Sequence, residues 1–498
     1  MIFSLGNCLL YLVLLLGGCM VGPNYHAPEN QVAAEWASNS IASEVISQEA
    51  PLIAWWTVFN EPLLDQYIEK AAKNNYDIRT AEANILQARA MRQIAASSFF
   101  PQIGADVNAT RTYFSKNGPI FAIGPSTGTV PGTISPSTGL PFSAQVPQTQ
   151  NLYNALFDAT WEIDLFGKTR RSVQAAEANI GSSIEQRNDT LITILAEIAR
   201  NYMDIRSNQE LSKLVEENIA FLEQEAAIIE KQFESGYVSR LDLENIQAEL
   251  STQRAKLPDL KSQIYRGIYT ISILTGDVPE TLVDELIQPR PLPNVPNKVS
   301  MGVRSDLLRR RPDIRRSERQ LASATANVGV AVASFFPTFT LFGDGGFQSL
   351  MVKNLFTAAS RTWAFGGDVT LPIFEGGQLV GNLNANRAVA SAAACAYQQI
   401  VLNALEETES ALVAYVEDFA TTNQLKKATQ SDENLVELTR ERYSKGLVNL
   451  LHLVDSERQL NAAQQSLLQS EAKSLFDLIV LYKALGGGWE EEENQEIK

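Results

Sequence analysis

The chain has 498 residues, 45% of them apolar and 20% charged, with 57 acidic against 41 basic side chains and a formal net charge of −16. That balance argues against nucleic acid as a partner, because phosphate binding is driven by basic patches. With two histidines and no H-E-x-x-H or C-x-x-C, a transition-metal centre is not expected. No run after the N-terminus approaches the roughly 20 apolar residues of a spanning helix, which excludes a polytopic helical membrane protein.

Residues 1–18 read as a signal peptide: Leu9 to Leu16 is apolar but too short to span a bilayer, and Gly17 and Gly18 lead to Cys19. The pattern resembles the bacterial lipobox, which implies cleavage before Cys19 and an N-terminal acyl and diacylglycerol lipid on it. A plain signal peptide with a fortuitous cysteine is the alternative, and the start of the segment carries no Lys or Arg. Cys8 lies within the leader, so Cys395 would be the one other cysteine and no internal disulfide framework is expected. Residues 19–60 are polar and irregular and read as a tether.

The first repeat, 61–276, opens at Asn60-Glu61-Pro62, with proline tolerated in a first turn. One helix is expected from there to about Ser98, about 35 residues or roughly 50 Å. A strand follows from Gln102 to Phe114, then a long loop, Asn117 to Pro147, rich in Gly, Pro, Ser and Thr and free of Asp and Glu. The return strand is the clearest in the sequence. Tyr153, Ala155, Phe157, Ala159, Trp161 and Ile163 alternate with Asn154, Leu156, Asp158, Thr160, Glu162 and Asp164, so one face is apolar and the other largely polar. After Gly167 there is no proline until Pro258, which predicts a helix of about 65 residues, on the order of 100 Å, ending at the C-cap glycine Gly236. A return helix, Leu241 to Leu274, carries leucines at seven-residue spacing and a kink at Pro258.

A proline-rich connector, 277–311, leads to a second repeat, 312–486, and an acidic tail, 487–498. Asp77-Ile78-Arg79 and Ser98-Phe99-Phe100-Pro101 recur as Asp313-Ile314-Arg315 and Ser334-Phe335-Phe336-Pro337, both at an offset of 236 (313 minus 77). Further on, Gly236 and Gly276 recur as Gly446 and Gly486 at an offset of 210 (446 minus 236). The chain is therefore a tandem duplication whose first copy holds 26 extra residues (236 minus 210), and the long loop is where they belong. Copy two should repeat the programme, with strands from Phe339 to Phe347 and Trp363 to Leu371, a long helix to Gly446 and a return helix from Asn449 to Leu485.

Four strands cannot close in lipid, where every edge N–H and C=O needs a partner. Several chains must share one barrel, and three give twelve strands, an even count in the usual range. The expected fold is mainly α with a small β part: a tandem-duplicated long-helix α-barrel, with four β-strands per chain contributing to a trimeric 12-strand transmembrane β-barrel.

Met20-Val21-Gly22-Pro23-Asn24-Tyr25, Trp55-Trp56 with Phe59, Leu307-Leu308-Arg309-Arg310-Arg311-Pro312-Asp313-Ile314 and Ser334-Phe335-Phe336-Pro337 resemble the outer-membrane efflux factors, the TolC-like exit ducts, in their NodT-type lipoprotein branch. The resemblance covers essentially the whole mature chain. It implies a homotrimeric, lipid-anchored conduit in the outer membrane with a long periplasmic extension. Its partners would be a periplasmic adaptor and an inner-membrane efflux transporter of the resistance-nodulation-division type. Met20 after the cysteine favours outer-membrane sorting by the same resemblance. Adaptor docking is implied at Gly236, Tyr237 and Val238 and at Gly446, Leu447 and Val448. A helix-turn cap with a packed valine is the plainer reading of both tips. Leu451 and Asp455, four apart on one helix face, are implied to ring the closed periplasmic aperture with Arg458 nearby. A local Asp455/Arg458 pair on a wet surface is the alternative. Cargo is expected to be drugs or other small toxic compounds, with type I protein secretion as the rival and a non-conducting periplasmic spacer as a reading from a different class. No P-loop or G-x-S-x-G is present, the many Asp/Glu pairs read as solvated helix faces, and no enzymatic activity is expected.

Overall fold

A computed structural model of the chain describes residues 20–28, 36, 46–47, 53–115, 148–296, 299–302 and 304–489. Cys19, the whole of the long loop from Asn117 to Pro147 and all but the start of the acidic tail lie outside those residues. The chain divides into two compact units, one holding 91–176 and 325–388 with the N-terminal residues to 24, the other holding 25–90, 177–324 and 389–498.

The first unit contains a four-stranded antiparallel sheet in the order β2-β3-β5-β6, formed by β2 (Gln102–Tyr113), β3 (Thr149–Ile163), β5 (Thr338–Ser349) and β6 (Arg361–Thr370). A two-residue parallel pair, β1 (Ile46–Ser47) with β4 (Val299–Ser300), belongs to the second unit. β2 and β5 are offset by 236 and both have 12 residues. The 67-residue helices α3 (Lys168–Glu234) and α8 (Gln378–Ser444) are offset by 210 along their whole length. The change of offset therefore falls between Tyr113 and Thr149, where the sequence placed the insertion.

Helix α1 (Pro62–Asn74) and helix α2 (Tyr76–Ser97) replace the single helix expected from Pro62 to Ser98. The break is Asn75, extended at φ −62° and ψ 134° and 3% exposed. Its carboxamide oxygen accepts from the Asp77 and Ile78 amides at 2.7 and 3.2 Å, capping α2, while its Nδ2 donates to the Leu274 carbonyl at 2.9 Å. The capping bonds satisfy two of the orphan donors at a helix start, so a break here costs little. The return helix α4 (Arg240–Leu274) is unbroken through Pro258, and a short helix α5 (Val283–Leu286) follows. In copy two the break recurs 236 positions later, at Arg311, between α6 (Arg304–Arg310) and α7 (Pro312–Ala333). There Arg311 NH1 donates to the carbonyl of Ala484, the last residue of α9 (Leu450–Ala484) and the counterpart of Leu274. α6 starts inside the stretch read as connector and is the shortened counterpart of α1.

The second unit holds the apolar core. Trp55 is fully buried, stacked on Tyr482 at 5.6 Å and edge-on to Phe59 at 6.3 Å. The same core holds Leu64, Tyr202, Ile271, Leu412, Tyr415 and Leu478. The region read as a tether is thus partly docked: Trp36 is buried and donates to the Gly302 carbonyl, and Trp55–Phe59 forms a 3₁₀ turn in the core. The four-stranded sheet is the opposite case. None of its residues is buried within the chain, and Phe365 is 80% exposed.

Candidate functional site

The sheet register sorts the strands into two surfaces. Ala105, Phe157, Gly345 and Trp363 form one cross-strand row, and Ile103, Ala159, Gly343 and Phe365 the next, so the alternation expected for β3 extends across all four strands. The opposite rows read Gly104, Asp158, Asp344 and Ala364, then Asn108, Asn154 and Gln348. On that polar face Gln348 Nε2 donates to Asn154 Oδ1 at 2.9 Å and Asn154 Nδ2 donates to Asn108 Oδ1 at 3.0 Å, a side-chain ladder across three strands. An uncovered apolar face opposite a hydrated one suits a sheet standing between lipid and water. One helix, α8, also contains an 18-residue window of mean hydropathy 1.3, of which 17% is buried, so it could cross a membrane by length and composition alone.

The residues that follow Cys19 pack tightly, a feature that composition did not reveal. Arg171, 1% exposed, donates from Nε to the Val21 carbonyl at 3.2 Å and from NH2 to the Gly22 carbonyl and Asn24 Oδ1 at 3.1 and 2.9 Å. Gly22 and Gly167 both have positive φ, and a Cβ on Gly22 would lie 2.6 Å from the Gly329 Cα. The Val21 amide donates to the Phe166 carbonyl, so the segment closes the corner where β3 passes into α3.

The two helical tips are near copies. At each, a positive-φ glycine ends the long helix in a Schellman motif: Gly236 and Tyr237 donate to the Phe233 and Gln232 carbonyls, and Gly446 and Leu447 to those of Tyr443 and Arg442. Ser239 with Asp242 forms a capping box for α4, and Asn449 caps α9 by accepting from the His452 amide. The hydrogen bonds from Ser239 hold the Asp242 carboxyl below the usual carboxylate range. Space around both glycines is open, so φ alone calls for glycine there. Tyr237 and Leu447 are the exposed apolar side chains, at 84% and 65%. Val238 instead packs with Leu222, Ile229 and Ile246, as the plainer reading of the tip has it, and Val448 is half-buried.

Leu451 is 53% exposed at the second tip, and Asp455 pairs with Arg458 at 3.4 Å, both also exposed. Leu241 holds the position of Leu451 in copy one and is likewise exposed, but Asn245 stands where Asp455 does. Sequence reasoning missed a carboxyl pair between α8 and α9. Burial, then a hydrogen bond and charge from Asp418, push the Asp477 carboxyl up to about 7, while Lys473 pairs with Asp418 at 2.8 Å. Nothing in either helix alone signals it.

The fold and these surfaces define a membrane channel protein whose chain carries both a short antiparallel sheet and very long helices. The chain belongs to the Outer membrane efflux protein family, which it matches over residues 67–276 and 303–487, the two repeats. It is 29% identical over 485 residues to the antibiotic efflux pump outer membrane protein ArpC of Pseudomonas putida, covering 97% of this chain and 95% of that one. Nodulation protein T of Rhizobium leguminosarum bv. trifolii is 28% identical over 480 residues, 96% of each. Among solved structures the outer-membrane channel OprN superposes with a TM-score of 0.84 at 29% identity, covering 95% of this chain and all of that one. The Campylobacter jejuni CmeC channel gives 0.82 at 23%, covering 96% and 99%. The protein is an outer-membrane efflux channel and performs no catalysis.

A carboxyl whose pKa rises on folding favours the folded state at low pH, and that contribution is lost as pH rises through the folded value, here about 7. Asp477→Asn, permanently neutral, should therefore raise the thermal unfolding midpoint at about pH 8. The gain should shrink to nothing below about pH 4, where the carboxyl is protonated in both states. Circular dichroism melts across that range test it.

Proposed function

We propose that three copies of the chain join their sheets into one twelve-stranded barrel, forming a gated duct that conducts small toxic compounds passively from the periplasm to the exterior. The observation that carries this reading is the sheet itself, with an apolar face uncovered and two edge strands, β2 and β6, lacking a further neighbour among the described residues. Unpaired edge groups cost several kcal/mol each in hydrocarbon, so closure by other copies is required there. Antibiotic efflux in the description of ArpC supports drugs as cargo. A periplasmic adaptor docks on the two tips, chiefly through Tyr237 and Leu447, and an inner-membrane transporter supplies the energy. Cys19 carries the lipid.

Leu451 narrows the resting aperture, and Asp455 attracts cations to it. Three aspartates about 10 Å apart would repel by only about 0.4 kcal/mol per pair in water, so repulsion alone does not open the duct. Purified protein in planar bilayers should conduct. Leu451→Ala and Asp455→Ala should raise resting conductance and vancomycin entry, with Asp455→Ala also lowering cation preference; wild-type values in assembled trimers would place the constriction elsewhere. Gly446→Asp or Leu447→Asp should reduce crosslinking to the adaptor, and unchanged crosslinking would remove the tip from the docking surface. The mass of the mature N-terminus should match triacylated Cys19, and an unmodified cysteine would end that assignment.

A further inference from the structure

The charges of the four-stranded sheet are sorted by sign and by height. Its carboxylates, Asp106, Asp158, Glu162, Asp344 and Asp368, all fall on the polar face. The four strands hold only two basic residues, Arg111 and Arg361, and the register puts both on the apolar face. Arg361 shares a cross-strand row with Phe347, Ala155 and Val107, and Arg111 pairs with Asn151. Both arginines are exposed and have no ion pair among the described residues.

They also stand at the same end. α2 and α7 run into β2 and β5, and α3 and α8 leave from β3 and β6, all at the end opposite the hairpin turns. Arg361 opens β6 on the turn side, and Arg111 is two residues short of the turn-side end of β2 (113 minus 111). Below them the apolar face carries no charge, from Ile103 to Ala109 on β2 and from Trp363 to Val369 on β6. In an outer-membrane channel with periplasmic helices, the turn end faces the exterior.

The turn from β5 to β6 adds an apolar shelf beside Arg361. Leu350, Met351, Val352 and Phe356 are all at least half exposed, and Lys353 among them is exposed too. The fold imposes this exposure: Leu355 is buried beneath the turn, while Ser360 Oγ and the Thr357 amide donate to the Asn354 carbonyl at 2.7 and 3.1 Å. Phe356 meets Phe347, the direct partner of Arg361, edge-on at 5.5 Å. A cation on a lipid-facing strand is costly at mid-bilayer and tolerated only near the headgroups. Side chains that merely reach for water could carry either sign, yet this rim has two arginines and no carboxylate.

We infer that the outer rim of the apolar face binds phosphorylated lipid of the outer leaflet. Arg361 beside Phe356, and Arg111 beside the exposed Tyr113, each take a phosphate, and the acyl chains lie on the uncharged face below. A guanidinium suits this task because its planar fork grips phosphate through two hydrogen bonds. The inference rests on the outer-membrane barrel proposed above and adds the lipid that its rim selects.

The test uses the full-length protein in detergent, titrated with diphosphorylated lipid A or with the same lipid stripped of phosphate, and bound copies are counted by native mass spectrometry. The wild type should hold the phosphorylated form at least about tenfold more tightly, a preference that Arg111→Gln with Arg361→Gln should abolish and the two lysine replacements should partly restore. Phe356→Ser should weaken both forms alike. Equal retention of the two lipids, or a phosphate preference that survives loss of both arginines, would overturn the inference. So would competition by inorganic phosphate at equal concentration, which would mark a general anion site. Conductance in planar bilayers separates the two readings: a protein that conducts but ignores the phosphate keeps the duct and loses this rim, and one that neither inserts nor conducts loses both.

Discussion

The constraint from which the rest follows is the pairing of backbone polar groups in lipid. The row of N–H and C=O groups along the free side of β2, and the same along β6, can sit in hydrocarbon only against another strand. An even, twisted sheet of four strands does not curl far enough to meet itself. The alternation of side chains on β2, β3, β5 and β6 then has to hold in strict register, because a slip of one residue would move Trp363 and Phe365 to the polar face and Asp368 to the apolar one.

The helical unit solves a different problem, that of joining short helices without leaving helix ends unsatisfied. Both joints use a side chain at the break to reach the last carbonyl of the return helix, and both place a positive-φ glycine, Gly276 or Gly486, hard against the break. The chemistry differs between copies. Asn75 is neutral and caps its helix. Arg311 is charged, pairs with Asp313 at 2.7 Å and with Glu407 of the long helix at 2.8 Å, and so ties three helices together. The proton on Arg311 is held more firmly than usual; burial works against it, but the hydrogen bonds and charges of Asp313 and Glu407 prevail.

Much of this plan was legible because the duplication acts as its own alignment. The two offsets located the insertion, the long helices and both tips, and strict alternation in β3 revealed the two-faced sheet. The break at Asn75 was not legible: one capping residue inside a continuous helical pattern leaves the 3.6-residue periodicity intact. The docking of Met20–Asn24 was hidden for another reason. It depends on close approach to Gly329 and on Arg171, and polar, irregular composition looks the same whether a segment is loose or seated. At the tips, spacing found the glycines but could not say which apolar neighbour turns outward, which is settled by packing against Leu222 and Ile246.

The seat of the N-terminal segment has a kinetic side. Gly22 precedes the whole first repeat, yet it closes against Gly329, which is made only once the first repeat is complete and the second has begun. Contacts so distant in sequence form late, since a long loop must be closed before they return any stability. The corner beside β3 is thus completed only after α7 opens the second repeat, and a chain interrupted between the repeats would keep its leading end unsecured.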